Sequence, residues 1–165
     1  MQKLYMKQKV FSLRDRFTIK DERGSDVYFV SGSIFSFAKK LYIHNRQDQE
    51  VARIEQQLLK LLPKFSLLID NQEVAVIKKE FTFFKQKYDI EGTDIKAEGD
   101  FLAMTFSLTR HGKTIATVQK AWFSWGDSYE ISISKQEDEL IVLGLVLAID
   151  FISHNDDSSA SSTSQ

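Results

Sequence analysis

The most distinctive chemical pattern lies near residue 125, where aromatic rings flank a carboxylate. Trp122, Phe123 and Trp125 precede Asp127, and Tyr129 follows it. In an enzyme, Asp127 could act as a base beside an aromatic platform for a sugar or another ring, but such catalysis normally uses paired groups and the pattern offers one. We therefore favour a hairpin turn in which Asp127 hydrogen-bonds the backbone while the rings divide between the core and the rim.

Other catalytic and metal-binding patterns are missing from the sequence. His44, His111 and His154 lie far apart, without the spacing of metal ligands, and there is no Cys. The lack of Cys excludes disulfides, thiolate metal sites and Cys nucleophiles. No Gly-x-Ser-x-Gly, Walker or dinucleotide-binding glycine motif is present. We therefore predict no catalytic residue, no metal site and no cofactor.

A basic and aromatic stretch, Lys78–Tyr88, is the best candidate for a ligand surface. Lysines near an anionic membrane each contribute about 1 kcal/mol, and exposed Phe rings can insert at the interface. The simpler interpretation is a charged outer face over a Phe-bearing inner face, as in any soluble barrel strand. The candidate lipid-binding residues share strand parity in this stretch or follow Phe35 and Phe37; they are Lys39, Lys40, Lys79, Lys85 and Lys87.

Composition predicts one folded domain without a global charge. The chain has 165 residues, is 42% hydrophobic and carries a formal net charge of -1. It therefore has enough apolar material for a core, and no overall field attracts nucleic acid or an anionic membrane. Met1 to Val10 lack the apolar segment of a secretion signal. We expect a cytoplasmic protein, peripheral at the inner membrane face if the lysines bind lipid.

Most of the chain follows the period-two pattern of half-buried strands. Phe17 and Ile19, for example, alternate with polar residues. Short turn sequences separate the runs, among them Asp70-Asn71 and Glu98-Gly99-Asp100. Many short, evenly spaced strands predict a closed antiparallel barrel or a sandwich. The twelve predicted strands are 3–10, 16–20, 26–31, 34–37, 40–44, 49–57, 64–69, 72–79, 87–91, 100–109, 113–123 and 127–133.

The C-terminal region contains a different element, a helix predicted over residues 134–153. Ser134 and Glu137 form a capping box, and Leu140–Ile149 is apolar on every face before Asp150. This apolar run is too short to span a bilayer, which needs about 20 residues, so we predict a helix buried inside the barrel. The predicted domain covers residues 1–153, and the Ser- and Asp-rich tail, 154–165, is expected to be disordered.

Small residues on the predicted inner face agree with this arrangement. Ala52, Ala75 and Ala116 recur at equivalent positions in three strands that each follow a polar turn. On strand parity they share a face with Ile54, Ile77 and Val118 respectively. Small inner side chains leave room for a bulky object inside the barrel.

Five stretches of the sequence carry a resemblance to a known family; they are residues 4–20, 21–24, 32–41, 58–65 and 120–133. They resemble the LURP-one-related family, one branch of the tubby C-terminal fold. The likeness covers residues 3 to about 152. It implies a barrel of twelve strands around a central C-terminal helix. It also implies distant kinship with tubby proteins, whose domain binds phosphoinositide head groups, and with phospholipid scramblases, which act at membranes. The sequence departs from the family pattern at Ala38, where Gly is expected, and in the Asn45–Asp48 turn, which lacks Gly.

Three classes of function are compatible with these observations. The preferred one is a non-enzymatic module that binds anionic phospholipid or another phosphorylated ligand. The second is a cytoplasmic protein-interaction or regulatory module without a lipid ligand. The third is an enzyme with an unrecognised site, which would require a polar pocket with converging ionisable groups. No nucleic-acid partner and no transmembrane segment are predicted.

Overall fold

The computed structural model describes residues 1–7, 16–33, 38–58, 62–80, 82, 86–121, 128–134 and 139–160, the last seven by their backbone alone. Twelve strands precede one helix, α1 (Glu139–Ala160). The strands are β1 (Gln2–Lys7), β2 (Phe17–Asp21), β3 (Asp26–Ser33), β4 (Lys40–His44), β5 (Glu50–Gln56), β6 (Lys64–Ile69), β7 (Gln72–Glu80), β8 (Lys87–Glu91), β9 (Ile95–Asp100), β10 (Thr105–Arg110), β11 (Lys113–Ala121) and β12 (Ser128–Ile133).

All twelve strands belong to one antiparallel sheet with a simple meander topology. The order is β8-β7-β6-β5-β4-β3-β2-β1-β12-β11-β10-β9. In this order β1 pairs with β12, so the first and last strands of the chain are neighbours. The two terminal strands of this order, β8 and β9, lie beside each other, which makes the sheet a nearly closed barrel. The predicted antiparallel barrel is confirmed.

The helix α1 fills the interior of the barrel, as predicted. Val142, Leu143 and the residues from Leu145 to Ile149 have no solvent exposure. The helix packs mainly against β5, β6, β7 and β12. Gly144 allows close approach to β6, since a Cβ at this position would lie 2.4 Å from Leu67 Cδ1. Burial of a helix that is apolar on all sides gives the fold its core.

The small residues predicted to face the helix do so. Ala52 on β5, Ala75 on β7 and Ala116 on β11 are buried. Ala52 and Ala75 lie on strands that contact the helix directly. A larger side chain at these positions would compete with the helix for the same space.

Two strand predictions differ from the structure. Residues 98–100, predicted to turn, belong to β9, and the turn is formed instead by residues 101–104. Gly99 lies against β10, where a Cβ would approach Phe106 Cα to 2.5 Å, so this glycine serves close packing and not a reversal. The predicted strand 100–109 therefore starts too early, and β9 was missed. The predicted strand 34–37 lies outside the described residues.

The helix boundaries also differ from the prediction. Lys135–Asp138 lie outside the described residues, which includes the Glu137 member of the predicted capping box. The Ser134 hydroxyl donates to the Ile115 carbonyl at 2.8 Å. Helix α1 continues to Ala160, beyond the predicted end at Ser153, and so covers the first part of the predicted tail. Residues 161–165 lie outside the described part.

Candidate functional site: the lysine end and the β8–β9 cleft

The meander brings most of the candidate lysines to one end of the barrel. Strand pairing places Lys40 opposite Glu55, Lys64 opposite Lys78, and Glu80 opposite Lys87. Because consecutive strands are antiparallel, the end of each odd strand meets the start of the next even strand at the same rim. We call this rim the lysine end; its residues are Lys39, Lys40, Lys64, Lys78, Lys79 and Lys87.

The candidate lysines at this end have different environments. Lys40 forms an ion pair with Glu55 at 3.1 Å, and the same carboxylate oxygen also pairs with Arg53 at 2.7 Å. Lys87 is exposed, whereas Lys79 is only 9% exposed. The backbone N–H of Lys39 donates to the Gln56 side-chain oxygen at 3.4 Å, at the start of β4. Lys85 lies outside the described residues.

The position of Lys79 overturns the outer-face interpretation for that residue. Lys79 shares the inner face of β7 with Ala75 and Ile77, both buried, and lies opposite Tyr88 of β8. Its side chain is therefore directed to the inner side of the barrel wall, while Lys87 belongs to the outer face. The sequence analysis grouped Lys79 with Lys87 because both have the same strand parity. The pairing between β7 and β8, which separates them, is seen only in the structure.

Lys78 belongs to the outer face and is paired there. The Lys78 ammonium donates to the Glu91 carboxylate across β7 and β8. The hydrogen bond that Lys78 donates to Glu91 is the largest cause that raises the pKa of Lys78, and the same bond lowers the pKa of Glu91. Both groups therefore stay charged over a wide pH range. This pair follows the simpler interpretation of the lysines, a solvated outer face with matched charges.

A cleft of about 1480 Å³ opens between β8 and β9. Its buried lining includes Tyr88, Ile90, Ile95 and Phe101. Tyr88 and Phe101 make an edge-to-face contact with ring centroids 4.8 Å apart. The cleft is thus apolar in its depth, and Lys79 and Lys87 lie on its wall at the lysine end.

The opposite end of the cleft is held together by ionic contacts. Arg110 of β10 donates to Asp94 at 2.9 Å, and His111 lies 2.6 Å from the other oxygen of the same carboxylate. The Thr93 hydroxyl accepts a hydrogen bond from the Ile95 N–H at 3.1 Å. These contacts fix the short connection between β8 and β9.

A polar group of the helix, the Ser153 hydroxyl, reaches the wall of the cleft, and the sequence interpretation missed it. The Tyr88 hydroxyl and the Ser153 hydroxyl are 2.7 Å apart in a buried hydrogen bond. Asp150, one turn earlier in α1, is only 3% exposed. A signal was available in the sequence, because Asp150 and Ser153 interrupt an apolar helix at a spacing that puts them on one face. What they face depends on the strand order.

The charges that line the cleft are mainly negative. Among the described lining residues, three lysines (Lys79, Lys87 and Lys96) stand against five carboxylates. The carboxylates belong to Glu80, Asp89, Asp94, Glu98 and Asp100. The described lining of the cleft therefore has an excess of carboxylates, although it includes Lys79 and Lys87 of the lysine end.

Two further properties bear on chemistry at this site. Among the residues that the structure describes, no group of three or more His, Asp or Glu side chains is arranged to hold a metal ion. In the same part of the chain, no helix has the combination of length and apolar character needed to cross a membrane. The aromatic cluster of Trp122, Phe123, Trp125 and Asp127 lies outside the described residues.

Sequence comparison identifies relatives over nearly the whole chain. A family model described as LURP-one-related matches residues 2–150. The chain is 35% identical over 157 residues to "Uncharacterized protein YxjI" of Bacillus subtilis (strain 168), with 95% of this chain and 97% of the relative covered.

Structural comparison gives the same fold at greater distance. The chain superposes on a crystal structure of an Arabidopsis thaliana protein with a TM-score of 0.67 and 12% sequence identity. The match covers 92% of this chain and 90% of the plant protein. At this identity the likeness concerns the fold, which is tubby-like.

Proposed function

Because the chain belongs to the LURP-one-related family and has the tubby-like fold, we propose that it is a non-enzymatic module that binds an anionic phospholipid head group or another phosphorylated ligand. The proposed site is the lysine end, with Lys39, Lys40, Lys79 and Lys87 as ligand-binding residues; Lys85, the fifth candidate from the sequence, lies outside the described residues. Fold kinship is a weak guide to function. The proposal therefore rests on the residues themselves.

The observation that carries the proposal is the convergence of lysines from separate strands. Lys39 directly precedes β4 and Lys40 begins it, Lys79 is the residue before the end of β7, and Lys87 begins β8, all at one rim. A phosphate group attracts several ammonium groups at once, and each lysine near an anionic surface adds about 1 kcal/mol. Lys87 is exposed and carries a main part of this attraction, whereas Lys40 already pairs with Glu55.

The proposed location follows from the ligand. A protein that attaches by charge to anionic lipids acts at the cytoplasmic face of the membrane, where these lipids are concentrated. Attachment is peripheral and reversible, because a few lysines supply only a few kcal/mol and no long apolar anchor is required. The interaction should weaken as salt rises.

Co-sedimentation with vesicles tests the proposal. The full chain is mixed with phosphatidylcholine vesicles that contain or lack a phosphoinositide. We expect binding only to the phosphoinositide vesicles and at least a fivefold loss of affinity in the Lys39→Gln/Lys87→Gln variant. The matched control, Arg23→Gln/Lys113→Gln, removes two exposed charges at the opposite end of the barrel and should bind like the parent protein.

The outcomes separate lipid from other phosphorylated ligands. Competition by a soluble inositol phosphate, with no binding to vesicles, would show that a free phosphorylated ligand is recognised. Equal and negligible binding of all vesicles and of the inositol phosphate would contradict the proposal. Equal losses in both double variants would also contradict it, because general charge and not the lysine end would then drive binding.

A further inference from the structure

The β8–β9 cleft is the one interruption of strand pairing in the described barrel. Ten of the twelve strands have a partner on both sides in the order of the sheet. Strand β9 pairs with β10 alone, over residues 95–100, and no hydrogen-bonded register joins it to β8. An edge strand offers a row of backbone N–H and C=O groups to another extended chain.

The inner residues of β9 show that the wall is incomplete here. Ala97 lies opposite Leu108, and Gly99 opposite Phe106, so both belong to the inner face. Ala97 is nevertheless half-buried and Gly99 exposed, whereas the inner alanines Ala52 and Ala75 are fully buried. Space for apolar side chains is therefore left beside Ala97 and Gly99, above the buried Phe101.

The outer residues of the two cleft strands define the charge of a complementary partner. On β9 the outward positions are Lys96, Glu98 and Asp100, and on β8 they are Lys87, Asp89 and Glu91, all exposed. Four of these six side chains are carboxylates, of which Glu91 is paired with Lys78. A strand docked between them would present one set of side chains outward to these carboxylates and the alternate set inward to the apolar depth.

We propose that the cleft binds an extended peptide segment that adds a strand to β9, with apolar residues facing inward and Lys or Arg residues facing Glu98, Asp100 and Asp89. Such strand addition takes affinity from backbone hydrogen bonds and specificity from alternate side chains. Because residues 92–94 hold the start of β9 against β8, the added strand would pair with the far part of β9, residues 97–100, which is about 13 Å long. This function uses the carboxylates and the backbone edge of β9, whereas the proposed lipid binding uses lysines, although the two sites share Lys79 and Lys87 on the cleft wall.

Binding of a labelled synthetic peptide tests the proposal. The probe is a seven-residue peptide of alternating Val and Lys with blocked ends. Its binding to the full chain is measured by fluorescence polarisation. We expect at least tenfold weaker binding of a Val and Glu peptide, and of a Val and Lys peptide with a central Pro, which removes a backbone donor.

Protein variants locate the site. Asp89→Asn/Glu98→Gln should weaken binding of the Val and Lys peptide about tenfold, and Ala97→Leu should weaken it similarly by filling the inner space. The matched control, Glu50→Gln/Glu73→Gln, removes two exposed carboxylates from β5 and β7 and should bind normally. Equal losses in the two double variants would overturn the proposal.

Hydrogen exchange gives the decisive readout. Saturating peptide should slow exchange of β9 amides at least tenfold if a strand is added there. Peptide binding without protection of residues 97–100 would overturn the proposal. A dimer in sedimentation experiments, with β9 already protected in the absence of peptide, would show that a second copy occupies the edge and would equally reject the peptide assignment.

Discussion

The wall formed by β5, β6 and β7 and the cleft between β8 and β9 are built from the same alternating strand pattern, yet they differ in what covers their inner residues. In the wall, each strand has two partners and α1 lies against the inner face. At the cleft, β9 has one described partner and its inner residues Ala97 and Gly99 reach solvent. A barrel filled by one helix thus has a stabilising side and an accessible side.

This difference assigns separate tasks to the two regions. The wall and the helix bury apolar surface, which is the main source of stability. The cleft strands contribute less burial and leave backbone and charged groups accessible. Substitutions in the wall should therefore change the free energy of unfolding, while those at the cleft should change binding. The following four predictions test this division, from the largest expected effect to the smallest.

Placing a charge in the helix should abolish folding. Leu143 is completely buried, and Leu143→Asp would bury an unpaired carboxylate at a cost of several kcal/mol, against a typical stability of about 5–15 kcal/mol. Leu102, beside the cleft, is 58% exposed, so Leu102→Asp should fold and melt like the parent. Circular dichroism melts measure both. A cooperative transition for Leu143→Asp would refute the central position of the helix.

The same Ala→Leu substitution should destabilise the protein in the wall but change its stability little in the cleft. Ala75→Leu places extra carbon between β7 and the helix and should destabilise the protein by about 1–3 kcal/mol. Ala97→Leu, on the inner face of β9, should change stability by less than about 0.5 kcal/mol, because the cleft has space for it. Urea unfolding measures the difference. Equal destabilisation would mean that the cleft is closed in solution.

Removal of the hydrogen bond between β8 and the helix should have a moderate effect on the free energy of unfolding. The Tyr88 and Ser153 hydroxyls form a buried hydrogen bond that links β8 to the helix. Tyr88→Phe and Ser153→Ala should each cost about 1–2 kcal/mol. In a double-mutant cycle, their coupling should be about 1 kcal/mol. Additive single effects in urea unfolding would show that the hydroxyls do not interact.

The smallest effect should be a pH dependence at Glu130 of β12, which belongs neither to the wall nor to the cleft strands. Burial opposes ionisation of Glu130, but hydrogen bonds from Lys3, Ser132 and Tyr5 outweigh it and hold the pKa of Glu130 below its usual value. A lowered pKa in the folded state stabilises the protein above the usual glutamate value, and this contribution is lost as pH falls through the folded-state pKa.

Glu130→Gln should accordingly lower stability by about 1 kcal/mol at neutral pH, and its difference from the parent should shrink in acid. Unfolding by urea at a series of pH values measures this trend. Glu98→Gln, at the exposed edge of the cleft, is the matched control and should follow the parent at every pH. A constant deficit for Glu130→Gln would contradict the assigned pKa direction.

Much of the fold could be predicted from local patterns. Alternation in β2 to β8, the Asp70-Asn71 turn and the apolar run Leu140–Ile149 each depend on residues close in sequence. Both turn residues have positive φ, 50° for Asp70 and 62° for Asn71, as a tight hairpin requires. The error at β9 arose because Gly99 has two possible roles, and only its contact with β10 distinguishes packing from turning.

Less of the candidate site could be predicted. Lys79 was grouped with Lys87 by parity, but pairing of β7 with β8 separates them into inner and outer positions. The contact between Tyr88 and Ser153 was not predicted, because a residue in β8 and a residue in α1 meet only when the helix lies inside the barrel. Convergence of distant residues is a property of strand order, which local periodicity does not encode.

The sequence by itself determined that this chain forms an antiparallel β domain with a buried C-terminal helix, because the period of the apolar residues and the length of the apolar run leave few alternatives. The tertiary structure alone decided where the barrel stays open. Closure depends on whether β8 and β9 come within hydrogen-bonding distance, and that is set by the twist summed over twelve strands and the width of the helix inside them.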